Sequence, residues 1–437
     1  MLTGLGILTI ATLLALILFR VTSVLVALTL VPIVAALIGG FAGQVGAFSM
    51  DGIRSVTPVA VLLAFAVIYF GVMNDAGLFE PLVKGLLRVV GRDPVRISLG
   101  TAAIATIAHL DGAGASTFMV TIPAMLPLYK RAGMSPLALT CTTALAAGTM
   151  NMLPWGGPTT RAAAALQIST GELFLPIIPP MLVGLVAVFL FAARIGRRER
   201  IRLAKSPTAD TAEPADHDIF SDGHDRDRAP RPGGLWYFNA ALTVATLAAL
   251  FTEVLPLAVV FMVASALALL VNYPNSRMQR ERLTGHGSAA MMMVTTIFAA
   301  GVFTGILTKS GMLGAMSADL VGVLSHDVLR HLAIPVGLTS MPLSLAFDPD
   351  SFYFGLLPVL ARAAQDAGGS ALDIARAAIL GQMTTGFPVS PLTPATFLLV
   401  GLADVDLADH QKRTIPYAFA VTVIMTLAAV ASGAIHP

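Results

Sequence analysis

The chain has 437 residues, 56% of them hydrophobic and 12% charged, with a net charge of +2 and a mean hydropathy of +0.81. A soluble domain carries about 25% charged residues. Half that share cannot cover a water-facing surface, so a soluble enzyme is excluded, and the near-zero net charge makes nucleic acid an unexpected partner. The single cysteine, Cys141, excludes a disulfide framework and any multi-cysteine metal site.

Residues 2–19 have no basic residue before Arg20 and no small-residue cleavage motif. They read as a retained membrane segment and not as a signal peptide. A bilayer core takes about 20 apolar residues per helix, and 2–19, 21–39, 56–73, 173–193, 235–252, 254–272, 288–308 and 414–434 meet that. Residues 79–92 and 311–328 read as amphipathic interfacial helices. The other apolar stretches are interrupted: 97–130 at HLDGAGAST (109–117), 136–168 at NMLPWGGPT (151–159), 330–363 at FDPDS (347–351) and 371–403 at GFPVSPLTPAT (386–396). Irregular backbone at membrane depth must face protein or a water-filled cavity, because an unpaired N–H or C=O costs several kcal/mol in lipid.

The interruptions occupy matched positions. GVMNDAGL (71–78) aligns with GILTKSGM (305–312), Pro123 with Pro358, Gly148 with Gly381, and Pro158 with Pro391. Two halves, 1–193 and 235–437, follow, joined by a polar linker at 194–234. The linker's Asp and His residues between 210 and 227 read as solvated chain. Arg194, Arg197, Arg198, Arg200, Arg202 and Lys205 place the linker in the cytoplasm. With 97–130 and 330–363 as re-entrant hairpins, each half crosses five times, the halves are inverted, and both termini lie outside. The expected fold is therefore an all-α polytopic membrane protein of two inverted repeats, each with five transmembrane helices, a re-entrant hairpin and a broken helix. Such a pattern marks secondary transporters. The expected location is the plasma (cell inner) membrane.

The residues able to carry chemistry cluster at the interruptions. At the first tip, an ionised Asp111 costs at least ~2.5–3.5 kcal/mol at mid-membrane. It is expected to take up protons, and helix capping is the alternative. His109 suits proton coupling or a neutral buried hydrogen bond. Gly112 and Gly114 allow close backbone approach, and Ser116 and Thr117 offer hydroxyls at a positive helix end suited to a carboxylate. At the second tip, Asp348 and Asp350 could share a proton or bind a hard cation, or form an ordinary turn with Pro349 and Ser351. Ser351 matches Ser116 by repeat position. Asn151, Trp155, Gly156, Gly157 and Thr159 surround the first helix break, and Ser390, Thr393 and Thr396 the second, each with a new helix start that favours an anion. Arg161 is the basic residue that neither set of loops explains. Its readings are a counter-charge to substrate carboxylate, a salt bridge to a tip aspartate, or snorkelling.

HLDGAGASTFMVTIPAMLPLYKRAGMSP and NMLPWGGPTTRAA resemble the citrate–metal:proton symporters (CitMHS) of the ion transporter superfamily, as do FDPDSFYFGLLPVL and GFPVSPLTPATFLLVGL. The resemblance covers most of 56–193 and 288–434. It implies no enzyme activity but proton-coupled import of citrate complexed to a metal ion, with a scaffold and a mobile transport domain. The metal would be part of the cargo, not a resident cofactor. One divalent cation leaves citrate with a single negative charge, which suits a site with one Arg better than three free carboxylates do. The other reading is a proton-coupled symporter of another organic anion, gluconate or a free di- or tricarboxylate. Expected partners are the citrate–metal complex, protons and the lipid bilayer, and the fold type allows a homodimer.

Overall fold

The computed structural model describes residues 1–19, 21–205, 233–252, 255–323 and 326–436, and all regular structure among them is helical. The first half runs α1 (Leu2–Leu18), α2 (Val24–Ile38), α3 (Val45–Asp75), α4 (Glu80–Val90), α5 (Pro94–Ala108), α6 (Gly114–Arg131), α7 (Pro136–Met150), α8 (Gly157–Leu166), α9 (Thr170–Phe174) and α10 (Ile178–Ala204). The second runs α11 (Gly233–Thr252), α12 (Leu257–Asn272), α13 (Ser276–Lys309), α14 (Met312–Val323), α15 (His326–Arg330), α16 (Ala333–Leu343), α17 (Leu357–Asp366), α18 (Ala371–Ile379), α19 (Pro394–Ala403) and α20 (Leu407–Ala431).

Local chemistry sets the starts. The side chains of Asp93, Ser135, Asn275, Ser370 and Asp406 accept backbone N–H groups of the first turn that would otherwise be orphaned. Pro94, Pro136 and Pro394 stand where a missing N–H costs nothing. Among the described residues, four helical stretches are long and apolar enough to cross a bilayer: Val45–Asp75, Thr170–Ala204, Ser276–Lys309 and Leu407–Ala431. Large apolar side chains stay exposed along α2, α10 and α12, among them Val34, Leu190 and Leu270. A contiguous exposed apolar surface of this kind fits a lipid solvent. The protein is a multi-pass membrane protein.

The expected interruptions are present, with altered limits. The first tip is a 3₁₀ turn, His109–Asp111, between α5 and α6. The second leads into a π-helical turn, Ser351–Leu356, ahead of α17. The break after α18 was expected at 386–396. It begins already after Ile379 and ends before Pro394, and Met383, with φ = 57°, keeps the helix from resuming within it. The linker was expected to start at 194, but α10 continues through Ala204, held by contacts of Glu199 described below. Residues 206–232, the remainder of the expected linker, lie outside the described residues.

Packing partners exchange between the halves. α2 lies on α13 as α12 lies on α3, and α6 meets α19 as α17 meets α8; within the halves, α5 lies on α10 as α16 lies on α20. The long helices α3 and α13 cross through small residues. A Cβ on Gly301 would come within 2.8 Å of the Gly52 carbonyl oxygen, and one on Gly305 within 2.8 Å of the Gly52 Cα. Small residues four apart let two membrane helices touch backbone to backbone. Gly301→Leu is expected to cost more than the ~1–3 kcal/mol typical of overpacking, because backbone blocks it. Thermal unfolding in detergent should drop sharply, whereas Gly285→Leu, which meets nothing within 4 Å, should match the wild type.

Candidate functional site

The first tip is closed by its own side chains. Asp111 Oδ1 accepts the Ala113 N–H at 2.8 Å, and the Ser116 hydroxyl bonds Oδ2. Gly112 makes the reversal with φ = 72°. Asp111 thus closes the turn ahead of α6, whose N-cap is Ala113 and has no side-chain cap bond, and it keeps a half-buried carboxylate at the tip.

His109 is fully buried. Its Nδ1 lies 2.7 Å from Thr117 Oγ1 and its Nε2 lies 3.2 Å from Asn151 Oδ1. Asn151 Nδ2 donates to the Met383 carbonyl at 2.6 Å. That bond fixes the amide, turns its oxygen towards His109 and assigns the ring proton to Nε2. The neutral ring then takes the Thr117 proton at Nδ1. A doubly protonated ring is equally well matched, because Thr117 Oγ1 is also 2.9 Å from the Ala113 carbonyl and can donate there instead. One polar chain therefore links the first tip, the first break and the second break.

Aromatic rings seal this region. Trp155 Nε1 donates to the Leu110 carbonyl at 2.9 Å, which ties the first break to the first tip. Phe387, in the second break, stacks on His109 and on Phe118, with centroids 6.0 Å apart in each case. Gly112 and Gly114 were read as points of close approach for a ligand. In this conformation a Cβ on either would meet a ring, Trp155 at 3.0 Å and Phe387 at 2.8 Å.

At the second tip, Asp348 Oδ1 accepts the N–H groups of Asp350 and Ser351 at 3.0 and 3.1 Å, and the Ser351 hydroxyl bonds Oδ2. Both tips use one device: a carboxylate that accepts the N–H two residues on and a serine hydroxyl. Asp350 faces elsewhere. Its Oδ1 takes the Arg161 Nε–H at 2.7 Å, with the two side chains only 15% and 21% exposed. This is the aspartate pairing among the three readings of Arg161. The first break therefore reaches both tips, through Asn151 and Trp155 to one and through Arg161 to the other. Among the described residues, no three His, Cys, Asp or Glu side chains gather as a metal cluster.

Several expected residues brace the breaks. Thr159 donates to the Met152 carbonyl at 2.7 Å and Thr396 to the Phe387 carbonyl at 2.6 Å, the same bond in each half. Ser390 donates to the Ser344 carbonyl at 2.5 Å. Gly156 turns tightly against the Asn151 carbonyl, and the Gly157 carbonyl lies 3.4 Å from Arg161 Nη1. Thr393 Oγ1, at the start of α19, is buried and has no hydrogen-bond partner among the described residues, so its hydroxyl remains available. Three contributors escaped the sequence reading: Phe387, Tyr353 and Gln382. Gln382 is fully buried, accepts the Ser344 hydroxyl at 2.6 Å, and has its carbonyl bonded by Tyr353 at 2.9 Å. A lone amide in an apolar run could have flagged Gln382; nothing in the sequence distinguishes Phe387 from a lipid-facing phenylalanine.

The chain thus brings broken helices against tip loops inside an all-helical membrane body. The fold is shared with known structures: the Alcanivorax borkumensis YdaH transporter superposes with a TM-score of 0.66 at 17% identity, over 99% of this chain and 98% of that one. MtrF of Neisseria gonorrhoeae, one of a class of antimetabolite efflux pumps, gives 0.59 at 13% identity, over 90% and 85%. The citrate transporter family (CitMHS) matches residues 4–381, and the chain belongs to that family. Among its relatives in Bacillus subtilis (strain 168), a citrate transporter is 45% identical over 415 residues, 94% of each chain. A Mg(2+)/citrate complex secondary transporter is 41% identical over 440 residues, 100% of this chain and 99% of that one.

Proposed function

We propose that this protein is a secondary transporter that imports citrate complexed to a metal ion, together with protons, by alternating access. The observation that carries the metal complex is the Arg161–Asp350 pair. The one cation among the proposed binding residues is already matched by a carboxylate, and Asp348 stands two residues away in the same tip. Fully ionised citrate would meet net negative charge there. A complex stripped of most of its charge would not, and helix starts worth about half a charge each would suffice to hold it.

The reading assigns roles as follows. Asp111 and His109 take up the coupled protons; His109 accepts one without a donor–acceptor mismatch. Ser116, Thr117, Ser351 and Thr393 face the carboxylates from the helix starts, and Arg161 meets them when Asp350 lets go. Asp350, once released, and Asp348 touch the metal ion of the cargo. The exchange of packing partners between halves supports two inverted repeats, and interrupted helices at matched positions support a re-entrant hairpin in each. The linker lies in the cytoplasm and both termini lie outside in this scheme.

Uptake of labelled citrate into proteoliposomes tests it. Uptake is expected only with a suitable metal ion, to stop on chelation, and to lose accumulation when the pH gradient is collapsed. Uptake that persists or rises on chelation would replace this reading with a symporter of a free organic anion.

A further inference from the structure

Away from the tips and breaks, a cavity of about 640 Å³ opens between the C-terminal part of α10 and the N-terminal part of α20. The rings of Phe191 and Tyr417, 5.3 Å apart and edge to face, form part of its wall. Around the cavity stand Arg194, Arg198 and Arg202 from one helix and Lys412 and Arg413 from the other, against one carboxylate, Glu199.

Glu199 is buried and fully engaged. Its oxygens accept the Ser135 N–H at 3.0 Å, Arg202 Nε and Nη2 at 3.0 and 2.8 Å, and Arg413 Nη2 at 3.0 Å. It fixes two guanidinium groups at the cavity edge and has nothing left for the others. Among the described residues, Arg198 meets a neutral partner only, the Tyr417 hydroxyl at 2.9 Å. Arg194 has no ion pair among the described residues. Lys412 has Asp409 at 3.8 Å, with both side chains in water. Arg194, Arg198 and Arg202 stand four residues apart on one helix face, an arrangement of like charges that is unfavourable in an isolated helix. An anion between them reverses its sign.

We infer that this cavity is a binding site for a phosphate-bearing anion, separate from the transport site. Guanidinium groups grip phosphate through paired N–H bonds, and basic pockets between membrane helices take anionic headgroups. The shared chemistry is a phosphate carrying more than one hydrogen-bond acceptor oxygen. Its source is either the headgroup of an acidic phospholipid or a soluble phosphoanion.

The full-length protein, purified in detergent, separates the two. In one arm, native mass spectrometry compares retention of phosphatidylglycerol with that of phosphatidylcholine. In the other, calorimetric titration with inorganic pyrophosphate is run in metal-free buffer. The variant is Arg194→Gln with Arg198→Gln; both side chains are exposed and lie outside the Glu199 network. Arg194→Lys with Arg198→Lys guards against misfolding. Preferential retention of phosphatidylglycerol that the Gln pair abolishes supports the site and assigns it to lipid. Pyrophosphate binding that the Gln pair weakens roughly thirtyfold, at about fivefold per cation, supports it and assigns it to a soluble anion. The Lys pair should fall between wild type and the Gln pair. Equal retention of both lipids, with pyrophosphate binding absent or unchanged in the variants, overturns the inference.

Discussion

Asp111→Asn is expected to abolish accumulation of citrate driven by a pH gradient while sparing exchange of labelled for unlabelled metal–citrate across the same membrane. The substitution is close to isosteric. The side-chain oxygen that accepts the Ala113 N–H at 2.8 Å is kept, and the new amide still meets the Ser116 hydroxyl. The tip should therefore close as before, and what disappears is the carboxylate's ability to gain and lose a proton. A gradient of two pH units sustains roughly hundredfold accumulation per coupled proton, since tenfold corresponds to about 1.4 kcal/mol. In the variant that factor should shrink to one, with accumulation at the level of protein-free vesicles. Wild-type accumulation by a well-folded Asp111→Asn variant would remove this residue from the coupling scheme. His109→Gln, assayed in parallel, shows whether a second proton is carried. Gln retains a donor for Asn151 but cannot alternate as the imidazole does between its neutral and its doubly protonated form.

The sequence made some of this geometry readable and hid the rest for physical reasons. Tip and break positions were legible because the residues that interrupt a helix, glycine, proline and aspartate, are conspicuous in an apolar chain. Gly112 and Pro158 are where a reader would place them. The end of α18 was not legible. AAILGQMTTG is compatible with a continuing helix, yet the helix ends at Ile379, and Met383 beyond it is left-handed and bonded by Asn151, a tertiary contact no local pattern shows. The length of α10 was obscured for the opposite reason. RIGRRERIRLA looks like solvated linker by charge, yet Glu199 joins it to the Ser135 N–H and to Arg413, residues far away in sequence. Long-range pairing also decided among the readings of Arg161, because no local pattern connects it to Asp350, 189 positions on.

That pair yields the second large effect. Arg161→Gln leaves Asp350 as an unmatched carboxylate in a mostly buried setting, and breaking such a pair costs about 3–5 kcal/mol. Uptake of metal–citrate should fall by roughly two to four orders of magnitude, since each tenfold is about 1.4 kcal/mol. Asp350→Asn acts in the other direction. It frees the Arg161 guanidinium for an incoming carboxylate, so the site should tolerate a more negative cargo. Uptake should lose part of its metal dependence, and chelated citrate, inert with the wild type, should become a measurable substrate. The double variant separates two roles of Arg161. If the arginine only balances Asp350, removing both charges restores near-normal uptake, and the double-mutant cycle shows strong coupling. If the arginine also grips citrate when Asp350 releases it, as proposed, maximal uptake recovers but half-saturation stays at a much higher concentration of metal–citrate. Unaltered metal dependence in Asp350→Asn, alongside normal transport by Arg161→Gln, would show that this ion pair has no part in handling the charge of the cargo.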